Sequence, residues 1–141
     1  MTPEQIVRKF FEEVRSGNNP DYAEKLMAEQ VLAHQIISEK EQTVLRSPKD
    51  YADHVREMIT AYDKFSLKIQ EFLVQDNKVY VRWKQVGKHI GEVNGYAPTD
   101  LPIIEIASAV YRIDNEKISE YWIQIDRAGI EKQLESNKNK K

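Results

Sequence analysis

The chain contains no cysteine, which removes disulfides, thiolate metal sites and a cysteine nucleophile together. No apolar run approaches the roughly 18 residues that a membrane span needs. Positive charge is not in excess: 21 Lys and Arg stand against 23 Asp and Glu, a formal net charge of −2. The basic face that nucleic-acid binding requires is therefore missing. Met1-Thr-Pro-Glu-Gln5 has neither the basic nor the apolar segment of a secretory signal. Glycine-rich phosphate loops, Gly-x-Ser-x-Gly elbows and dinucleotide fingerprints are lacking. His34, His54 and His89 fall on different elements without ligand spacing, so no metal is expected. The expectation is a cytoplasmic protein with no nucleic-acid or membrane partner.

What is present suffices for one globular core, with 40% apolar and 31% charged residues over 141 positions. Thr2-Pro3-Glu4-Gln5 has the residues of a capped helix start, and Ile6, Val7, Phe10, Phe11 and Val14 follow at helical spacing. A second short helix is expected from Asp21 to about Glu29, then a short strand Val31–Ile37 carrying His34. Residues 38–46 are polar and aperiodic and read as a loop. Ser47-Pro48 opens a third helix with Tyr51, Val55, Met58, Ile59 and Tyr62 inward and His54 toward the surface or rim.

Beyond Asp63 the period changes to two. Strands are expected over Phe65–Val74, Lys78 to about Ile90, Pro102–Asp114 and Lys117–Asp126, before a last helix from Arg127. Val79, Val81 and Trp83 share one strand face. Arg82 lies on the other, where a salt bridge is expected. Residues 1–135 read as one domain and 136–141 as a polar, disordered tail. Helices first and strands afterwards give an α+β fold, three main helices against a curved antiparallel sheet.

The last hairpin concentrates the chemistry. Ile118, Glu120, Trp122, Gln124 and Asp126 alternate with Ser119, Tyr121, Ile123 and Ile125. A two-residue loop at Asn115-Glu116 pairs Asp114 with Lys117. An unbroken register then sets Ala109 opposite Trp122, Ala107 opposite Gln124 and Glu105 opposite Asp126. Two carboxylates so placed beneath helices would crowd each other, and one would titrate high enough to move a proton at neutral pH. Ala107 and Ala109 leave room for a ligand, with Trp122 as its floor and Tyr62 at the mouth. Asp126 fits equally as N-cap of the following helix. The opposite face, with Ile104, Ile106, Val110, Tyr121, Ile123 and Ile125, has no element left to cover it, which predicts a homodimer.

Val79-Tyr-Val-Arg-Trp83, Gly87-Lys-His-Ile-Gly-Glu92, Gly95-Tyr-Ala-Pro-Thr99 and Tyr111–Trp122, with Asp126 and Gln133-Leu134, resemble the SnoaL-like polyketide cyclase family of the nuclear-transport-factor-2-like superfold. The resemblance covers nearly the whole chain. It implies a usually dimeric protein whose curved sheet wraps a cone-shaped pocket behind three helices. It also implies an intramolecular aldol closure without metal or cofactor, the aspartate matching Asp126 acting as acid/base. His34 and His89 match family histidines. Pro-Thr-Asp100, Asn115-Glu116 and Glu135 depart from the family's Pro-Thr-Gly, Asp-Gly and Gln-Leu-Gly.

The expected function is thus a cofactor-free cyclase or isomerase acting next to a carbonyl. Asp126 would be the base, His34 or a water would steady the enolate, and Glu105, Trp122, Gln124, His89 and Tyr62 would line the site for a small apolar or aromatic ligand. The alternative is a non-catalytic, ligand-binding dimeric module.

Overall fold

The computed structural model describes residues 1–37 and 39–140. Thr2 accepts from the Gln5 backbone while the Gln5 side chain accepts from Thr2, a capping box that starts α1 (Pro3–Lys9). The helix widens into a π-helical stretch over Phe10–Arg15, at whose end the Ser16 N–H reaches the Phe11 carbonyl. Ile6, Val7, Phe10, Phe11 and Val14 are buried as their spacing predicts; so is Arg15. Where a longer second helix was expected, a 3₁₀ turn (Pro20–Tyr22) and the four-residue α2 (Ala23–Leu26) lead directly into β1 (Met27–Ile37).

The expected loop after β1 is instead a strand, β2 (Lys40–Arg46), antiparallel to β1. Ser38, which the loop reading included, lies outside the described residues. As an edge strand whose residues are mostly exposed, β2 carries little apolar alternation to betray it. Ser47, Pro48 and Asp50 then build a second capping box for α3 (Pro48–Tyr62).

The period-two half of the chain forms β3 (Ser66–Gln75), β4 (Lys78–Lys88), β5 (Pro102–Asp114) and β6 (Lys117–Ile125). The sheet runs β2-β1-β6-β5-β4-β3, curled and unclosed. It is mixed rather than wholly antiparallel, because β1 and β6 pair in parallel. Its inner face meets the π-helical stretch and α3 through a layer of rings: Phe11 against Trp83 at 5.2 Å, Phe10 against Tyr111 at 5.4 Å, Tyr111 against Tyr121 at 5.8 Å and Tyr51 of α3 against Tyr121 at 6.1 Å between centroids. Such pairs contribute about 0.5–1.5 kcal/mol each beyond their buried area. On the outer face Arg82 meets Glu71 at 3.6 Å, as expected.

The final helix, α4 (Arg127–Lys138), runs through the first half of the expected disordered tail. Asn137 is buried there and donates to the Pro102 carbonyl at 3.3 Å. Gln133 bonds both backbone groups of Ile104, which docks α4 on the end of β5. No described helix is long and apolar enough to cross a membrane.

The hairpin between β5 and β6 turns where the sequence says it should. Asn115 and Glu116 both have positive φ, 50° and 59°, as a type I′ turn requires, and Asp114 pairs with Lys117. The next step departs from expectation. Ile113 pairs with Ile118 but Arg112 pairs with Glu120, so Ser119 is an extra residue, a β-bulge. Its hydroxyl bonds Asp114 Oδ2 at 2.6 Å. One inserted residue sends every later side chain to the other face. Tyr121, Ile123 and Ile125 therefore lie opposite Tyr111, Ala109 and Ala107, under the helices, while Glu120, Trp122 and Gln124 face outward. The expected Glu105–Asp126 pair, the Trp122 floor and the assignment of Tyr121, Ile123 and Ile125 to the outer face are all overturned by that bulge.

Glu116 holds a left-handed conformation that costs an ordinary L-residue about 1 kcal/mol and glycine nothing sterically. Its ion pair with the Met1 amino group is exposed and contributes little. Glu116→Gly should raise stability by about 0.5–1 kcal/mol, read as a higher urea midpoint at unchanged slope.

Candidate functional site

Alternation along β4 carries Val79, Val81 and Trp83 inward, and the next inward residue is Gln85. It lies opposite Glu105 of β5, and both are buried. Arg15, 2% exposed, reaches them from the π-helical stretch. Its Nη1 donates to Gln85 Oε1 at 2.8 Å and its Nη2 to Glu105 Oε2 at 2.9 Å. The guanidinium also lies 5.3 Å from the Trp83 ring centroid. Desolvating two such charges costs several kcal/mol per ion, which only good geometry and further hydrogen bonds offset. Here the neutral amide of Gln85 and the indole face supply them.

Helix α3 lays three polar side chains near this cluster. Burial, and after it the Glu105 charge, pushes the Tyr62 phenol up. Burial also pushes up buried Tyr51. Half-buried His54 goes the other way, down to about 4, through burial first and then the charges of Arg46 and Arg15. At neutral pH the phenols are thus O–H donors and His54 is an uncharged imidazole. Arg46, opposite buried Val31 in the β1–β2 register, completes the inner polar set. The cluster offers one oriented carboxylate, whose Oε1 takes no hydrogen bond from the described residues, beside neutral donors. Such an arrangement can take a proton from a ligand carbon and stabilise charge on a nearby oxygen.

Of the residues expected at the site, the fold brings Glu105 and Tyr62 together inside. Asp126 leaves β6 and caps α4: its Oδ1 accepts from the Gly129 N–H at 2.9 Å. The residue is exposed, not enclosed beneath the helices opposite Glu105 as anticipated. A Cβ on Gly129 would stand 2.2 Å from Asp126 Oδ2, so the cap depends on that glycine. His89 is fully inside, its Nδ1 3.5 Å from Thr99 Oγ1. His34, Trp122 and Gln124 do meet, but on the outer face, where they share a groove of about 230 Å³ with Tyr80 and Ser108. There the His34 ring stacks on Trp122 at 5.2 Å, and its Nε2 lies 2.5 Å from Glu120 Oε2 and its Nδ1 2.8 Å from Thr43 Oγ1. Burial opposes ionisation of Glu120, yet hydrogen bonds from His34 and Arg112 hold its carboxyl below the usual range. Among the described residues no group of three or more His, Asp or Glu could hold a metal ion.

Arg15, Gln85 and Arg46 were not anticipated, and His54 only as a rim group. For the first two a signal existed. Arg15 stands four residues after Phe11 and so continues the helical stripe, and Gln85 continues the β4 alternation. Arg46 becomes visible only once residues 40–46 are known to be a strand.

Residues 5–134 match the family model described as SnoaL-like polyketide cyclase. Among solved structures, a proposed polyketide cyclase from Acidithiobacillus ferrooxidans superposes with a TM-score of 0.82 at 21% identity, over 96% of this chain and 95% of its own. IdmH, a proposed polyketide cyclase from Streptomyces antibioticus, gives 0.79 at 17% identity over 96% and 99%. AclR, a proposed hydroxylase from Streptomyces galilaeus, gives 0.79 at 15% over 94% and 84%. At these identities the structures testify to a shared fold. A comparison with curated proteins gives no match.

His54 supplies a pH test. Its folded pKa of about 4 lies below the ordinary 6.5, so between those values the unfolded chain holds more protons. Stability must therefore fall as pH drops from about 6.5 to about 4, by on the order of 2–3 kcal/mol. Denaturant midpoints across that window should show the loss in the wild type and a smaller loss in His54→Gln, and the His54 ring resonances should titrate near 4.

Proposed function

The chain belongs to the SnoaL-like polyketide cyclase family, and from that membership and the interior cluster we propose a cofactor-free acid/base enzyme. It acts next to a carbonyl group, as a cyclase or isomerase, on a small apolar or aromatic compound. The observation that carries this reading is Glu105, a buried carboxylate on the inner face with one oxygen held by Arg15. Glu105 Oε1 takes a proton from the carbon beside the carbonyl, and the electron pair moves to the carbonyl oxygen. The Tyr62 hydroxyl, kept protonated by burial and by Glu105, donates to that oxygen. In a cyclisation the enolate carbon then attacks a second carbonyl of the same molecule, and the proton held by Glu105 returns to the new alkoxide. Arg15 is a positioning residue that fixes the carboxylate's aim. Ala107, Ala109, Ile123 and Ile125, on the same face, form the apolar wall.

The resemblance favours Asp126 as the base instead, and a pair of variants separates the two carboxylates. Glu105→Gln should slow deuterium exchange at the methyl group of acetophenone, followed by proton NMR, by about 10²–10⁴-fold. Asp126→Asn keeps a good N-cap and should stay within a few-fold of wild type. The reverse pattern would move the chemistry to Asp126. No exchange above buffer in the wild type would favour the non-catalytic binding module.

A homodimer through the outer sheet face, and work in the cytoplasm, belong to the same proposal. That face exposes Leu32, Ile36 and Ile104 at 38–39% each, with Val110 beside Trp122. Val110→Arg should sediment as a folded monomer, since a charge buried without a partner opposes association. An unchanged dimer would place the interface elsewhere.

A further inference from the structure

Resting on the reading of the interior as the site, we propose that its ligand carries a carboxylate bound by Arg46, so that the substrate is a keto acid and not a neutral ester. The alternation of β2 sets Arg46 and Val44 on the inner face, opposite Val31 and Ala33, and Thr43 and Leu45 on the outer. The Arg46 Nε–H is buried without a hydrogen-bond partner in the folded chain. A buried donor left unpaired is a net loss, and native structures seldom keep one without an acceptor from outside the chain.

Hydrogen bonds from Ser47 first, and the Arg46 charge after them, hold the Asp50 carboxyl below its usual range. Asp50 closes the α3 capping box with Ser47. Glu105 is held by Arg15, and Glu41 lies toward His34 on the outer side. The charged side chains of the inner cluster are thus two guanidiniums, Arg15 and Arg46, against one carboxylate, Glu105, an excess of one positive charge. Arg46 acts on the same side chains as Arg15, because both charges are felt at Tyr51, His54 and Tyr121. With His54 neutral and the phenols protonated, none of these neighbouring groups balances that excess. A guanidinium presents a planar fork of N–H donors that matches a carboxylate.

The test compares 4-acetylbenzoate with its methyl ester, two aromatic ketones of like size that differ in charge. Calorimetry on the wild type should show the acid binding at least tenfold more tightly, with the Arg46 Nε–H resonance shifting on its addition. Arg46→Gln should bring the acid down to the affinity of the ester, and Arg46→Lys should keep part of the preference. Equal affinities, no saturable binding of either probe at millimolar concentration, or a preference that survives in Arg46→Gln would overturn the proposal. Should Arg46→Gln fail to fold, the acid-to-ester ratio and the Nε–H shift in the wild type decide. Glu105→Gln separates this inference from the catalytic one, since removing the interior negative charge should leave the acid preference intact or larger. If that variant retains exchange while the acid preference stands, the carboxylate site survives and the assignment of the base does not. If exchange is lost and no preference exists, the chemistry survives and the keto acid does not.

Discussion

The contact on which the architecture turns is the ion pair of Arg15 with Glu105, steadied by Gln85. A guanidinium that is 2% exposed has no water to fall back on, so its bonds to β4 and β5 must form together or the charge stands dry. The pair therefore ties the end of the first helix to two central strands, which apolar packing alone would leave freer to slide. The helix ends at the same place in a π-helical stretch. Phe10, Phe11, Val14 and Arg15 are all buried there, a wider face than a regular helix presents, and wider turns of this kind recur at functional sites.

The second constraint is the bulge at Ser119. Without it, Trp122 and Glu120 would lie beneath the helices and Tyr121 outside. With it, Tyr121 joins the ring layer at 5.8 Å from Tyr111, and the polar residues of β6 gather around His34. The outer face thereby acquires Glu120, bridged between His34 and Arg112, and β6 gives the inner face apolar and aromatic side chains beside the Gln85 and Glu105 that bind Arg15. Separation of the two polar groups onto opposite faces is thus the work of one residue.

Most of the elements were legible in the sequence because their signals are local. Both capped helix starts, the stripe from Ile6 to Val14, the β3–β4 turn and the Asn115-Glu116 hairpin rest on residues a few positions apart. The bulge was not legible, because β6 is amphipathic in either phase. Ile118 and Trp122 are as apolar as Tyr121 and Ile123, so neither face declares itself. Strand β2 escaped for a related reason: its exposed edge position demands no apolar alternation. The interior cluster was half visible. Glu105 and Tyr62 were expected at the site, but Arg15 was passed over because a charge at the end of a stripe reads as solvated unless a buried partner is known.

The position of Asp126 bears on how the site came to look as it does. The family resemblance rests partly on Asp126 with Gln133-Leu134, and in this chain each of these residues has a structural task. Asp126 caps α4, Gln133 bonds the Ile104 backbone twice, and Leu134 is buried beside Ile103. Together they fix α4 against the end of β5, two residues from Glu105. A motif can thus be retained by the docking of a helix, independently of chemistry at its aspartate. What the interior adds is a carboxylate whose orientation is set by a buried guanidinium, next to phenols that burial keeps protonated. Such a combination, a fixed acceptor with a donor nearby, is what the proposed proton abstraction beside a carbonyl would use.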